Sequence, residues 1–310
     1  EGIPLRDRLF ANVESLYSLG STFAPLSNLV TKLPGSNVLM EKTLGIARER
    51  DLPTFKRATL QKWTQPRTPA VSEAEAERKV LLIADPYTNY TQPEVGKAAV
   101  HTLEAAGVHV EISETVTDSG RPAHSKGMVD SARETAELNV AELAPRVADG
   151  WDIVSVEPSD SVMYQEDYLD LLSGDDVAAV ANNTYSIMEY LDTFRLDDAL
   201  DVDAEATLSY HGHCHQTAAS REHHAVGVLR RTGYDVDVLD TTCCGMAGSF
   251  GYETEHYSMS REIGEQLAEQ VAAQQCNRVV APGASCRSQL ESFDEEPVHP
   301  AVALDDALPE

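Results

Sequence analysis

The sequence has 310 residues, with 51 Asp+Glu against 24 Lys+Arg and a formal net charge of −27. That balance argues against nucleic acid as a partner, because phosphate binding needs clustered cations. Apolar residues make up 42%, enough for a sizeable core, and no run of about 18 apolar residues marks a membrane span. The chain begins at Glu1 without Met and without a charged-then-apolar leader, so it reads as a fragment or processed chain rather than a secreted precursor. Only 7 of the 24 cations are Lys. A dense carboxylate surface with few Lys is what a halophilic, cytoplasmic protein presents to a salty medium.

Residues 1–67 hold ten Lys/Arg and six acids, a net +4, which leaves −31 on the remaining 243 residues. Apolar residues here recur at helical spacing: Leu9, Val13, Leu16, Tyr17, then Leu26, Leu29, Val30 and Leu33. Pro34 and Gly35 end that run. The pattern predicts a helical connector or docking segment over 1–70. Such stripes usually pack as core, so a connector lying on the acidic body is expected first. Peripheral membrane contact through 1–67, on the inner face, is the other reading. The breaker cluster Thr64–Gln–Pro–Arg–Thr–Pro69 and the polar run Ser72–Glu–Ala–Glu–Ala–Glu77 set the boundary.

From Lys79 onward, short apolar strands alternate with helical stretches, the signature of parallel α/β units. Strands are predicted at Val80–Ala84, Val108–Ile112 and Ile153–Val156, with helices at Glu94–Ala106 and Ser131–Val147. The same order recurs: strands at Ala206–Tyr210, Tyr234–Leu239 and Arg278–Ala281, helices at Thr217–Thr232 and Ser258–Gln274. Ala106–Gly–Val–His–Val–Glu–Ile112 resembles Thr232–Gly–Tyr–Asp–Val–Asp–Val238. Cys244 and Cys286 are 42 positions apart, as Ser119 and Asp160 are 41 apart. The expected architecture is therefore α/β, with two tandem pseudo-symmetric parallel repeats at 79–175 and 206–305, preceded by the helical segment. Residues 175–205, including Leu191–Asp203, join them.

All five cysteines, Cys214, Cys243, Cys244, Cys276 and Cys286, lie in the second repeat. An odd count without a leader argues against a disulfide framework. Four of them sit in loops after predicted strands: His211–Gly–His–Cys–His–Gln216, Thr241–Thr–Cys–Cys–Gly–Met–Ala–Gly–Ser–Phe–Gly–Tyr252 and Ala281–Pro–Gly–Ala–Ser–Cys286. In a parallel sheet those loops converge on the carboxyl edge, where ligands bind. Cys214, Cys243, Cys244 and Cys286 are the expected ligands. Gly245, Gly248 and Gly251 let the backbone curl close and offer N–H groups to sulfur. Soft thiolates suit an iron–sulfur cluster, expected as a single four-thiolate one in preference to zinc or to a thiol nucleophile beside His213 or His215. Zinc fits poorly to a vicinal Cys–Cys pair without C-x-x-C knuckles. Strand alternation would put His211, His213 and His215 on one face and Cys214 on the other, with His213 and His215 supporting the ligands. Cys276 matches nothing and is expected to be structural.

The three cysteine motifs resemble those of the cysteine-rich CCG domain, found in the C-terminal part of FAD-linked oxidases of the D-lactate, glycolate and 2-hydroxyglutarate dehydrogenase type. Related copies occur in anaerobic glycerol-3-phosphate dehydrogenase and in heterodisulfide reductase, each time on a subunit of the larger enzyme. Gly2–Ile–Pro–Leu–Arg–Asp–Arg–Leu9 looks like the segment that follows the family's dicluster ferredoxin-like domain. Thr88–Asn–Tyr90, Pro93–Glu–Val95 and Ser125–Lys–Gly127 also look familial. The resemblance implies an electron-transfer module with one 4Fe–4S cluster. It would carry electrons from an FAD domain in another part or subunit, through ferredoxin-like clusters, toward quinone or another acceptor. No C-x-x-C-x-x-C run or dinucleotide fingerprint is present, so this chain alone should not oxidise a hydroxy acid. In the first repeat, Pro86, Asp118, Ser119 and Asp160 stand where the family has cysteines. That repeat is expected to be a scaffold, or a polar pocket lined by Tyr87, Asp118 and Asp160. Gly283 stands where the heterodisulfide reductase pattern has a further thiolate, which favours four ligands over five. The alternatives are a zinc-stabilised module docking a flavoprotein and a thiol-dependent reductase.

Overall fold

The computed structural model describes residues 2–202, 204–240, 243–274, 276 and 278–309. Asp203, at the end of the expected linker, and Thr241 and Thr242, at the head of the vicinal-cysteine motif, lie outside the described residues. Among the described residues seven strands form two sheets: β1 (Lys79–Ile83), β2 (His109–Ile112), β3 (Trp151–Ser155), β4 (Thr184–Ser186), β5 (Thr207–Tyr210), β6 (Asp235–Val238) and β7 (Arg278–Val280). The first sheet has the order β2-β1-β3-β4 and the second β6-β5-β7. Every pairing within them is parallel, with Lys79 opposite His109 and Trp151, and Leu208 opposite Val236 and Arg278. The protein is thus α/β with parallel sheets. Helices Pro93–Ala105, Val129–Ala148, His223–Arg231 and Tyr257–Ala273 make the crossovers, as parallel pairing requires.

Strand alternation explains the core. Val80 and Leu82 point to one side of β1, and Leu81 and Ile83 to the other. The first side joins Leu208, Tyr210, Val236 and Val280 of the second sheet through Ile187, Tyr190 and Leu191, so one apolar core spans both sheets. The second side packs with Ile153, Tyr164 and Tyr168. The outer face of the second sheet buries Leu239, Cys244, Met246, Leu267, Cys286 and Leu290. Sheets covered on both faces explain why β1 and β3 read as continuous apolar runs.

Three expectations need correction. The segment 175–205 is more than a joint: it supplies helix Asp175–Asn182, β4 and helix Ile187–Thr193, the last of which feeds the shared core. The helix expected over Thr217–Thr232 is two helices, Cys214–Ala218 and His223–Arg231, broken where Ser220 takes φ +57°. The N-terminal segment is helical, at Leu5–Ala11, Val13–Thr22, Leu26–Thr31, Ser36–Leu44 and Leu60–Thr64. Of its apolar stripes, Val13 and Tyr17 are buried, but Leu16, Leu26, Leu29, Val30 and Leu33 are exposed. The second stripe is therefore a solvent-facing surface of this chain and not part of its core.

Candidate metal centre

The carboxyl ends of β5, β6 and β7 lie side by side, and the loop leaving each carries cysteine. After β5, His211 is buried, His213 caps the helix Cys214–Ala218 by accepting from His215 N–H, and Cys214 opens that helix. After β6, Cys243 and Cys244 precede a tight turn at Gly245. Its φ is +88°, and a Cβ there would lie 2.5 Å from Ser260 O, so both conformation and space call for glycine. The Gly245 N–H donates to Cys243 Sγ at 3.3 Å. After β7, Gly283 precedes the helix Ala284–Glu291, which buries Cys286 in its first turn.

The four expected ligands come together. Thiol contacts run from Cys214 to Cys243, from Cys243 to Cys244 and from Cys244 to Cys286. None of the five cysteines is in a disulfide. Cys244 and Cys286 are 4% and 2% exposed, while Cys214 and Cys243 reach the surface in part. Donation from Cys214 and Cys244 pulls Cys243 well below the ordinary thiol range, and donation from Cys244 does the same for Cys286. Cys214 and Cys244 are correspondingly raised. Four sulfurs linked pairwise in a row can share protons in this way, but they cannot all ionise without a cation. A metal group would satisfy all four at once, and soft sulfur is the donor that iron–sulfur groups and zinc accept. The residues present fit such a group.

The histidines depart from the strand-alternation picture, because β5 ends at Tyr210 and a turn and helix follow. His211 has a ring nitrogen within 4.8 Å of the Cys244 and Cys286 sulfurs. His213 lies 3.8 Å from Glu157 and packs edge-on against His215. Burial lowers His215 to about 4, so its ring is neutral near pH 7. A Cβ at Gly283 would overlap the His213 ring, with His213 Nε2 at 3.1 Å and Cys286 Sγ at 3.3 Å. Gly248 has φ +65° and open space where a Cβ would stand. Cys276 packs against the outer core of the second sheet and is not among the sulfur contacts described above.

The sequence reading missed Glu157, Arg287 and Arg50. Glu157 is buried and accepts from Ala284 N–H at 2.9 Å, joining the first half to the Cys286 loop. Arg287 is buried and donates to Ala281 O and Pro282 O, holding the same loop. The glutamate was visible in Glu157–Pro–Ser–Asp160, but nothing local tied it to residue 284.

In the first sheet, Ser119 Oγ donates to buried Asp160. Asp85 is buried and caps the helix Pro86–Tyr90 by accepting from Tyr87 and Thr88 N–H. Burial and Glu157 push Asp85 up to about 6, and Asp160 is raised by burial and by its acidic neighbours. Among the described residues, the groups close enough to share a single metal ion are His211–Cys244–Cys286 and Asp192–His223–His224; Asp118 and Asp160 are in neither, nor are Cys214 and Cys243, which join the first group only through the Cys243–Cys244 contact.

Parallel strands that deliver vicinal and single cysteines from three loops to one sheet edge define a cysteine-rich α/β metal-site protein. Residues 208–291 match the family described as the cysteine-rich domain, CCG, and the chain belongs to this family. It is 26% identical to the C subunit of anaerobic glycerol-3-phosphate dehydrogenase from Escherichia coli K12, over 98% of this chain and 77% of that protein. It is 29% identical to D-2-hydroxyglutarate dehydrogenase of the same organism, over 97% of this chain but only 30% of that enzyme. Lactate utilization protein A of Bacillus pumilus is 31% identical over 56% of this chain and 74% of that protein.

Proposed function

We propose that this chain is an iron–sulfur electron-transfer module of a dehydrogenase and works beside a flavoprotein. The observation that carries the reading is the continuous contact of Cys214, Cys243, Cys244 and Cys286, drawn from three loops. Those four residues would hold one 4Fe–4S cluster, which when bound supplies one-electron exchange. Gly245 N–H donates to a ligand sulfur, and His211 stands beside Cys244 and Cys286. Both favour added negative charge at the site. The His213 ring occupies the space beside Gly283, which favours four protein ligands over five.

The relatives' names include a glycerol-3-phosphate, a 2-hydroxyglutarate and a lactate protein. We infer that the flavin partner oxidises a small hydroxylated metabolite of the 2-hydroxy-acid type. Ferredoxin-like clusters outside this chain would lie between, and quinone is the proposed acceptor. The common strand order 2-1-3 in the two sheets, and Ser119–Asp160 standing as Cys244–Cys286 do, support a duplication over 79–175 and 206–305 whose first copy became scaffold. Peripheral attachment to the inner face of a membrane is supported by the N-terminal helices. Among the described residues, eleven of the sixteen exposed large apolar side chains lie between Ile3 and Leu39. Among the described residues no helix is long and apolar enough to cross a membrane.

Anaerobic purification followed by iron, sulfide and zinc analysis tests the reading. Iron and acid-labile sulfide in equal amounts, with broad visible absorbance, are expected. A colourless protein with stoichiometric zinc would replace the electron carrier by a zinc-stabilised docking module.

A further inference from the structure

Arg50 is 5% exposed, yet it comes from the N-terminal segment and not from the cysteine motifs. The chain around it is anchored: Ala47 N–H donates to Tyr252 O at 2.8 Å, and Ile46 bridges to Glu253. The guanidinium donates from Nε to Gly251 O at 2.8 Å, from Nη1 to Gln289 Oε1 at 2.7 Å and from Nη2 to Ser260 Oγ at 2.7 Å. It also lies 5.1 Å over the Tyr257 ring. Every acceptor is neutral, and among the described residues the charged or titratable groups that bear on it are Tyr257, Tyr252, Arg261 and Cys244, none of them a carboxylate. A buried cation without an anion is costly.

Its three contacts share one feature: each is built into the cysteine loops. Gly251 closes the loop that begins at Cys243. Gln289 lies on the helix that carries Cys286. Ser260 packs its carbonyl against Gly245 and accepts from Gln289 at 2.7 Å. Cys244 is near enough that, once ionised by a metal group, its charge would bear on the guanidinium, against the opposing charge of Arg261. Arg287 offers the contrast, because its buried charge lies near Glu157 as well as Cys286. An arginine stays protonated even when buried.

We propose that Arg50 is the fixed countercharge of the metal–thiolate group, so that residues 45–51 complete that centre. The inference rests on the iron–sulfur reading. Metal–thiolate groups are more negative when reduced, and a fixed buried cation at their edge favours the reduced form. Arg50 is a positioning residue for two loops and, through its charge, raises the reduction potential.

The test is an EPR-monitored redox titration of the full chain, loaded anaerobically, as wild type, Arg50→Gln and Arg50→Lys. In Arg50→Gln the ratio of reduced to oxidised centre at a fixed potential falls at least about tenfold, a downward shift of about 59 mV for one electron. Arg50→Lys keeps the charge and stays closer to wild type than to Arg50→Gln. An unshifted potential in iron-loaded Arg50→Gln, or equal shifts in both variants, overturns the proposal. Should Arg50→Gln not retain iron, Arg50→Lys decides: a potential near wild type supports the charge role, and loss of iron there too overturns it in favour of a purely structural one. A wild-type chain without iron overturns this inference together with the reading beneath it, whereas iron in wild type with no shift in Arg50→Gln overturns this inference alone.

Discussion

The His213 ring stands where any side chain at Gly283 would have to go, with Nε2 3.1 Å from the position of a Cβ. Two cysteine loops are thereby locked in register, because His213 caps the Cys214 helix and Gly283 precedes the Cys286 helix. Gly283→Ala should cost roughly 1–3 kcal/mol by overpacking and lower iron retention. Adding His213→Ala should recover part of the stability, since the two sites are in contact. Denaturant melts of the two single variants and the double variant check this; strictly additive losses would contradict it. Gly283→Cys should behave like Gly283→Ala and gain no fifth ligand.

Asp85 gives a pH dependence with a definite sign. Burial, then Glu157, raise it to about 6, against about 3.9 in an unfolded chain. Between those values the folded state binds more protons, so the contribution of this group is present below pH 4 and is lost as pH rises through 6. Buried Asp160 acts in the same direction. His215 opposes them, because burial lowers it to about 4 and its contribution grows from pH 4 toward about 6.5. A single variant separates these effects. Asp85→Asn keeps an acceptor for Tyr87 and Thr88 N–H and removes the titration. It should gain about 1–3 kcal/mol at pH 7 and no more than about 0.5 kcal/mol at pH 4. Equal gains at both values in urea melts would contradict the assignment.

The exposed stripe should bind anionic lipid. Leu26 is 66% exposed and Leu29 59%, and Lys32 and Lys42 lie on the same run of helices. An apolar face with basic neighbours is the pattern of an interfacial helix. Vesicles containing phosphatidylserine should float wild type but not Leu26→Asp/Leu29→Asp, and high salt should weaken the binding. Equal flotation of wild type and the double variant would rule the surface out.

The charge of −27 predicts salt-dependent stability. Screening shortens to about 3 Å at about 1 M salt, which relieves carboxylate repulsion across the surface. The melting temperature should rise by several degrees from low to molar KCl, about 1–2 kcal/mol. A flat or falling profile would show that the acidic surface is not self-repelling.

The parallel strands and three of the cysteine loops were legible because both rest on local patterns. Buried β1 and β3 are short apolar runs, and Gly107 and Gly233, both with positive φ, mark helix ends. What escaped was set by tertiary contact. Nothing at Ser220 or Arg221 announces a helix break; Arg221 leaves the helical path and pairs with Glu189. β4 spans only Thr184–Ser186, too short for a period-two signal. The stripe at Leu26–Leu33 has the spacing of a core helix, and periodicity does not say what covers it. Arg50 carries no motif at all: its acceptors at 251, 260 and 289 lie more than 200 residues away.

EPR spectroscopy of the dithionite-reduced chain, purified without oxygen, tests the central claim most directly when wild type is compared with Cys244→Ser and Cys276→Ser. The four-sulfur centre predicts a paramagnetic signal in wild type, its retention in Cys276→Ser, and its loss or change of form in Cys244→Ser. A silent wild type holding zinc, or a signal unaffected by Cys244→Ser, would contradict it.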